Sequence, residues 1–515
     1  MIKRILKTIG AILPGLFSVG LLIPVLFLFI PGQTECESEA STTIEAQFNQ
    51  LFEYCKNNSL FSGSVLIAHH GNVIFKKSYG MADRENEIPN TSTTNFNVGS
   101  TSKPFTALAI AILVEQKKLN FDDPVCARLP EFPYPSVTLR HLLTHTSGLP
   151  DYVHRPPFIK YHDMGEADTS QTEVYTSQDV LDWLIDSKTD LAFEPGSKMT
   201  YCNTGFVILA LVIERVTGQD FVSFIKENIL IPAGMSNSLV YNKKSDPPIP
   251  NRAFGYSPSL DRSSFELNDL NRMDGIVGAG GLYTSVEDLF RFDKALYSNT
   301  LVSRQTLTEM FTPCVLNDGQ RKGYGLGWIL AGYDSPDPLI VKHGGKWRGF
   351  TTAFQRLIED SSVVIILTNC GLTGPTIGSI RDAATDILQG KTPRLPKFPI
   401  ADRIAEVLFE AGPDSAVQLY RFLAEHENER YFFDEHQLNV LGYRLMYENR
   451  LEDARIILEA NAEAYPKSSN VYDGLGDIYK AAGDTLNAVE QYRKALSIDP
   501  DLDHTIRKLK ELSVF

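Results

Sequence analysis

Ser100 and Lys103 stand three residues apart at the head of an apolar run, Val98-Gly99-Ser100-Thr101-Ser102-Lys103-Pro104-Phe105-Thr106-Ala107-Leu108. Positions i and i+3 share a helix face, so the Lys103 amine can lie beside the Ser100 hydroxyl. The first turn of a helix offers unpaired backbone N–H groups and the positive end of its dipole, both of which favour developing negative charge. A serine hydroxyl is a weak nucleophile until a neighbouring base takes its proton. A desolvated lysine can be that base, because burial lowers its pKa. The competing structural reading makes Ser100 a helix N-cap and Lys103 a solvated first-turn cation.

Two further stretches carry chemical groups. In Met199-Thr200-Tyr201-Cys202-Asn203-Thr204-Gly205, Tyr201 and Asn203 can point to the same side of a loop. A phenol held near a lysine loses its proton more easily and can act as general acid and base. The Asn203 amide can hold a substrate carbonyl or N–H. Cys202 lies between them, with no role assigned. In Val341-Lys342-His343-Gly344-Gly345-Lys346-Trp347, an edge strand with paired glycines lets a substrate backbone approach closely. Its N–H groups can help bind an oxyanion, and His343 can carry positive charge or donate a hydrogen bond. The structural alternatives are a plain loop at a helix start and a surface hairpin turn. His141 and His145, at i and i+4, lack an H-E-x-x-H frame and a third ligand, so no metal site is expected.

The elements that must position these groups can be read around them. The run from 103 to 114 is apolar nearly all round, which predicts a buried helix that holds Ser100 rigidly. A first helix is expected over 42–60. A hairpin is expected from 64–68 and 73–75 with its turn at Gly71-Asn72. A short helix near 140–147 should stop at Gly148. Residues 150–178, polar and aromatic with several prolines, read as a long loop or lid over a cleft. Gly278-Ala279-Gly280-Gly281 is a glycine turn into a helix capped by Ser285 and Asp288. No Gly-Lys-Ser/Thr follows it, which excludes a phosphate loop. Tyr324-Gly325-Leu326-Gly327-Trp328 leads into a strand.

Together, Ser100-x-x-Lys103, Tyr201-x-Asn203 and His343-x-Gly345, spaced 101 and 142 residues apart, resemble the serine β-lactamase-related family. That family includes class C β-lactamases, D-alanyl-D-alanine carboxypeptidases, D-aminopeptidases and esterases. Leu142 to Leu149, Gly278 to Leu282 and Tyr324 to Trp328 resemble its connecting signatures. The resemblance implies an α/β fold over 42–392, in which an antiparallel sheet is flanked by helices and an all-helical subdomain carries the Tyr201 loop. It implies that Ser100 is acylated, that Lys103 and Tyr201 share general-base and general-acid work, and that Asn203 orients a small amide or ester substrate. His343 and Gly345 would line the substrate, and the N–H groups of Ser100 and Lys346 would form the oxyanion hole. No metal or organic cofactor is implied. The third motif is His-Gly-Gly where β-lactamases of the family usually carry Lys-Thr-Gly, which tilts the expectation toward a peptidase or esterase. No Gly-x-Ser-x-Gly occurs, so an α/β-hydrolase elbow is missing.

The 515 residues carry a net charge of −14, which argues against general nucleic-acid binding. Six widely spread cysteines permit disulfides without demanding them. Lys3, Arg4 and Lys7 precede an uncharged stretch over 9–30, so 1–31 is expected to be a membrane anchor or a cleaved signal. Either places the rest outside the cytoplasm. Prolines at 393, 396 and 399 mark a linker over 393–400. Residues 401–515 carry 22 acidic against 13 basic side chains. There Leu441-Gly442 matches Leu475-Gly476, Ala454 matches Ala488 and Pro466 matches Pro500, each 34 residues on. This resembles tetratricopeptide repeats and implies a C-terminal all-α repeat domain, either a groove for a protein partner or a helical add-on. A β-lactamase, and a catalytically inactive sensor or scaffold, are the competing functional readings; intact motifs speak against the scaffold.

Overall fold

The computed structural model describes residues 43–158, 174–245, 247–335 and 339–512. The expected anchor or signal over 1–31, and most of the expected lid, lie outside them. No helix among the described residues is long and apolar enough to cross a membrane.

Helix α1 (Ile44–Asn57) precedes the hairpin of β1 (Gly63–His69) and β2 (Asn72–Tyr79). Its turn is His70-Gly71, one residue before the expected place. Both residues have positive φ (49° and 74°), as a two-residue turn between right-twisted strands requires. Helix α2 (Lys103–Glu115), α3 (Asn203–Thr217) and α4 (Val286–Tyr297) follow. Strands β3 (Ile329–Ala331), β4 (Ile340–Trp347), β5 (Phe350–Leu357) and β6 (Ser362–Thr368) then lead to α5 (Gly374–Leu388). The strands form one sheet in the order β3-β4-β5-β6-β1-β2, antiparallel at every pairing.

Because side chains alternate along a strand, both faces of this sheet need cover. Leu66 and Ala68 of β1 and Ile365 and Leu367 of β6 join Phe105, Phe206 and Phe292 in the core under α2, α3 and α4. Val65, Ile67, Val364 and Ile366 face the other way, onto Phe48 and Phe52 of α1 and Ile380 of α5. The chain therefore has the expected architecture of an antiparallel sheet with helices on both sides, followed by a helical C-terminal region.

One ion pair is sealed into this core. Arg356 Nε of β5 lies 2.5 Å from Asp293 Oδ1 of α4, with the two side chains 1% and 2% exposed. Truncating one partner of such a pair strands the other charge out of water. Arg356→Ala is expected to cost about 3–5 kcal/mol, read as a lower Tm and denaturant midpoint. Replacing both partners with apolar residues should recover most of that loss.

The end of the expected linker is folded. Phe398–Pro399 pairs in parallel with Tyr431–Phe432. The helices α6 (Ile400–Ala411), α7 (Pro413–His426), α8 (Glu435–Tyr447), α9 (Leu451–Ala464), α10 (Ser469–Ala481), α11 (Thr485–Ile498) and α12 (Asp503–Leu512) follow. A Cβ on Gly442 of α8 would come within 2.6 Å of Leu458 on α9, and one on Gly476 of α10 within 2.5 Å of Tyr492 on α11. The same close crossing thus recurs one 34-residue period later. This region docks on a hairpin, Tyr256–Pro258 with Phe265–Leu267, of the preceding domain. Leu260 packs among the C-terminal helices, Arg262 pairs with Asp402, and Arg444 Nη2 donates to the Pro258 carbonyl at 3.0 Å.

Candidate active site

Ser100 sits on a tight 3₁₀ turn, Gly99–Ser102, that feeds directly into α2. Several bonds fix the turn. The Val98 N–H donates to the Leu282 carbonyl at 3.0 Å. Ser102 Oγ donates to the Gly99 carbonyl at 2.7 Å, Thr106 Oγ1 to the Gly278 carbonyl at 2.7 Å, and Thr352 Oγ1 to the Val98 carbonyl at 3.2 Å. The glycine turn at 278–281 and strand β5 thus grip the segment from two sides.

Lys103 is fully buried. Its Nζ lies 2.9 Å from Ser100 Oγ, 2.8 Å from Asn203 Oδ1 and 3.0 Å from the Ala279 carbonyl. Burial lowers its pKa to about 7, against the pull of Asp151 toward the charged form. Near neutral pH a large share of this amine is therefore unprotonated beside the hydroxyl.

Asn203 opens α3, and Asp151 fixes it. The Asp151 carboxylate accepts from the Asn203 backbone N–H at 3.0 Å and from its Nδ2 at 2.9 Å. That leaves Oδ1 facing the lysine. Tyr201 keeps 42% of its surface exposed, yet its hydroxyl end is desolvated and hydrogen-bonds Ser100. Desolvation raises its pKa, outweighing the Ser100 bond. This corrects the expectation that the nearby lysine eases the phenol's proton off. The amine lies 4.9 Å from the ring centroid, and with a pKa near 7 it offers little positive charge to a phenolate.

The third motif is a strand rather than a turn. Strand β4 pairs with β3 only through Ile340, Val341 and Lys342, so from His343 onward that edge is open. His343 is buried. Its Nδ1 lies 2.7 Å from the Gly344 carbonyl and its Nε2 3.1 Å from the Tyr324 hydroxyl. In that arrangement Nδ1 donates and Nε2 accepts. Burial, and then the lysine charge, lower its pKa to about 3. The cationic role allowed for His343 is therefore corrected: the ring is neutral and holds Tyr324. A Cβ on Gly345 would sit 1.9 Å from the Val98 carbonyl oxygen. Its bare backbone thus admits the nucleophile segment of this chain on that side. The Lys346 backbone in turn lies against Gly99, whose φ is +49° and whose added Cβ would meet it at 2.9 Å.

These residues surround an open hollow of about 620 Å³ including its mouth. Ser100, Tyr201, Asn203 and Lys346 line it, together with Tyr152, Met273, Asp274 and Trp347. His141 and His145 do not converge. His141 Nδ1 accepts from the Thr138 N–H that it caps, at 3.2 Å. His145 is buried with its Nδ1 accepting from the Cys202 N–H at 3.1 Å and its ring centroid 4.2 Å from that of Tyr201, the two planes tilted by 38°. It shapes the Tyr201 loop. The short helix Leu139–Leu143 ends at Thr144, before the expected stop at Gly148. Among the described residues no cluster suited to a metal occurs, and Cys55, Cys126, Cys202, Cys314 and Cys370 are free thiols.

Sequence reasoning missed Asp151, the Ala279 carbonyl and Asp274. Asp151 follows the turn at Gly148-Leu149-Pro150, whose acid was the signal available. A backbone carbonyl gives no signal beyond the glycines around it. Asp274 is masked by its pairing with Asn271 as a capping box.

The Beta-lactamase family profile matches residues 46–388. The chain is 37% identical over 360 residues to penicillin-binding protein 4* of Bacillus subtilis, covering 68% of this chain and 77% of that protein. It is 27% identical to Esterase EstB of Burkholderia gladioli, over 67% of this chain and 95% of that one. Among solved structures, the octameric penicillin-binding protein homologue from Pyrococcus abyssi aligns with a TM-score of 0.60 at 29% identity, covering 70% and 80% of the two chains. With the profile spanning most of the chain and the sheet and helices arranged as described, this protein belongs to the β-lactamase family of serine hydrolases and penicillin-binding proteins.

Proposed function

We propose that the chain hydrolyses small amide or ester substrates through an acyl-enzyme on Ser100. The observation that carries this reading is the buried Lys103 amine, 2.9 Å from Ser100 Oγ and lowered to a pKa of about 7. Neutral Lys103 takes the hydroxyl proton as Oγ attacks the acyl carbon. The backbone N–H groups of Ser100 and Lys346 receive the developing oxyanion. Tyr201, which keeps its proton until then, donates it to the leaving group, and the proton that Lys103 took from Ser100 passes to the Tyr201 oxygen. Asn203 Nδ2 and Oδ1 are both engaged within the protein, so Asn203 acts first by orienting Lys103. Water then attacks the ester, with the same groups returning the proton to Ser100. Each step uses side chains and backbone of this chain.

An esterase and a penicillin-binding protein among the relatives support a peptidase or esterase over a β-lactamase. The neutral His343 supplies no fixed cation for the carboxylate of a β-lactam, so nitrocefin turnover is expected to be slow or absent. Residues 1–31 are proposed to tether or export the chain, placing the site outside the cytoplasm. Residues 401–515 are proposed to be tetratricopeptide-like repeats that take a protein partner, a reading supported by the recurring glycine crossing. The central test is labelling with a fluorophosphonate probe, followed by mass spectrometry. Adduct on the peptide containing Ser100, lost in Ser100→Ala, is expected. Labelling that survives the substitution overturns the reading.

A further inference from the structure

Two short strands alone make a marginal hairpin in water, and its stability has to come from what covers it. The hairpin of Tyr256–Pro258 with Phe265–Leu267 is covered at its tip by the C-terminal helices. Leu260, half-buried, packs among them. Arg262 pairs with Asp402 of α6, and Arg444 of α8 donates to the Pro258 carbonyl at 3.0 Å.

The base of the same hairpin reaches the catalytic strand. Strand β4 carries the Lys346 N–H, and Arg348-Gly349 turns the chain into β5. The Gly349 N–H donates to the Asn268 carbonyl at 2.8 Å, and the Asn268 N–H to the Gly255 carbonyl at 2.8 Å. The fit is backbone against backbone. A Cβ on Gly349 would stand 2.2 Å from the Tyr256 nitrogen, and one on Gly255 2.6 Å from the Asn268 carbonyl oxygen. Backbone packed this closely passes a displacement on and does not absorb it. The chain leaving the hairpin runs on to Met273 and Asp274, which line the hollow. There Trp347 Nε1 donates to Asp274 Oδ1 at 2.8 Å and ties that wall to the end of β4. The turn after Lys346 is therefore clasped by one segment, 255–274, whose tip the helices hold.

We propose that the C-terminal helices, through this hairpin, hold the Lys346 N–H in register with Ser100. Leu260 and Arg444 are then positioning residues for acylation, although neither lines the hollow. This rests on the acyl-enzyme reading of Ser100, and the experiment separates the two. It gives the helices a duty toward this chain's own cleft, independent of any partner they take.

Leu260→Ser and Arg444→Met are each compared with the unsubstituted full chain in two measurements. The first is the rate at which a fluorophosphonate labels Ser100, taken per site that labels, so that a misfolded fraction drops out. The rate constant at saturating probe should fall about ten-fold, short of the roughly 10²-fold cost of a fixed 1 Å misplacement because the strand is loosened and not shifted. The half-saturating concentration should stay near its original value, because an oxyanion donor acts on the transition state. The second is backbone hydrogen exchange read by mass spectrometry. Peptides over 344–350 should exchange faster, while those over β1 should not. Arg444→Lys keeps a donor for the Pro258 carbonyl and Leu260→Met keeps the apolar contact, so each should restore both readings. Leu486→Ala, at a side chain of α11 that is 86% exposed, should change neither. An unchanged rate constant, or unchanged exchange at 344–350, in both variants overturns the proposal and leaves the Ser100 chemistry standing, as does an equal effect from Leu486→Ala. Absence of labelling at Ser100 in the unsubstituted protein overturns both.

Discussion

Lys103→Met should slow acylation of Ser100 by about 10²–10⁴-fold, the usual contribution of a positioned general base. Methionine matches the length of the stem and suits a site with no solvent exposure, so the loss isolates the amine and not the packing. The unsubstituted enzyme should show the same base in its pH profile. Activity falls below about pH 7, where the amine is protonated. That limb should vanish in the methionine variant. Stability should depend on pH through the same amine. In the unfolded chain the amine stays charged to about pH 10.4, while in the fold it loses its proton near 7. Between those values the unfolded state binds more protons, so stability rises with pH across that window. Below it both states are protonated, and the cost of burying the charge is fully present. Lys103→Met should therefore raise the Tm most at pH 6–7 while abolishing the rate, a trade common where function demands a strained group. A variant that loses activity without gaining stability would show that the amine is not held against its solvation preference.

What could be read from the chain beforehand follows from where information resides in it. Ser100 and Lys103 are legible because helical spacing alone places them together. Tyr201 and Asn203 are legible as a pair of useful groups on one loop. Their meeting with Lys103, about a hundred residues away in sequence, depends on α3 packing against α2. The sheet was readable from Val65 to Ala68 and Val363 to Leu367, whose continuous apolar character marks strands buried on both faces. The state of ionisation was not readable. Whether His343 is a cation and whether Tyr201 is easily deprotonated depend on desolvation, and composition does not reveal it. Desolvation turns the phenol expectation around, and of the two roles open to His343 it leaves the neutral hydrogen-bond donor. Asp151 escaped notice because it acts through Asn203, so its function appears only when the two hydrogen bonds are seen.

Gly345→Ala should lower kcat/KM by about 10²-fold, although no atom of the new methyl group is expected to touch substrate. The new carbon would stand 1.9 Å from the Val98 carbonyl oxygen and 2.8 Å from Thr352 Oγ1. Thr352 Oγ1 is the donor to that same carbonyl, so the methyl strikes the bond that joins β5 to the nucleophile segment. Backbone cannot swing aside as a flexible side chain can. Either β4 or the 98–100 segment must move, and the Lys346 N–H then shifts away from Ser100. A displacement near 1 Å at a reacting centre costs on the order of 10²-fold, and overpacking adds about 1–3 kcal/mol of destabilisation. Gly344 is the internal control. A Cβ there meets only the Thr352 carbonyl oxygen, at 3.3 Å, and the position faces solvent. Gly344→Ala should leave rate and Tm near those of the unsubstituted protein. If the two alanines behave alike, the third motif acts through what lies beyond the strand edge, and the close fit of β4 against the Ser100 turn carries no catalytic weight.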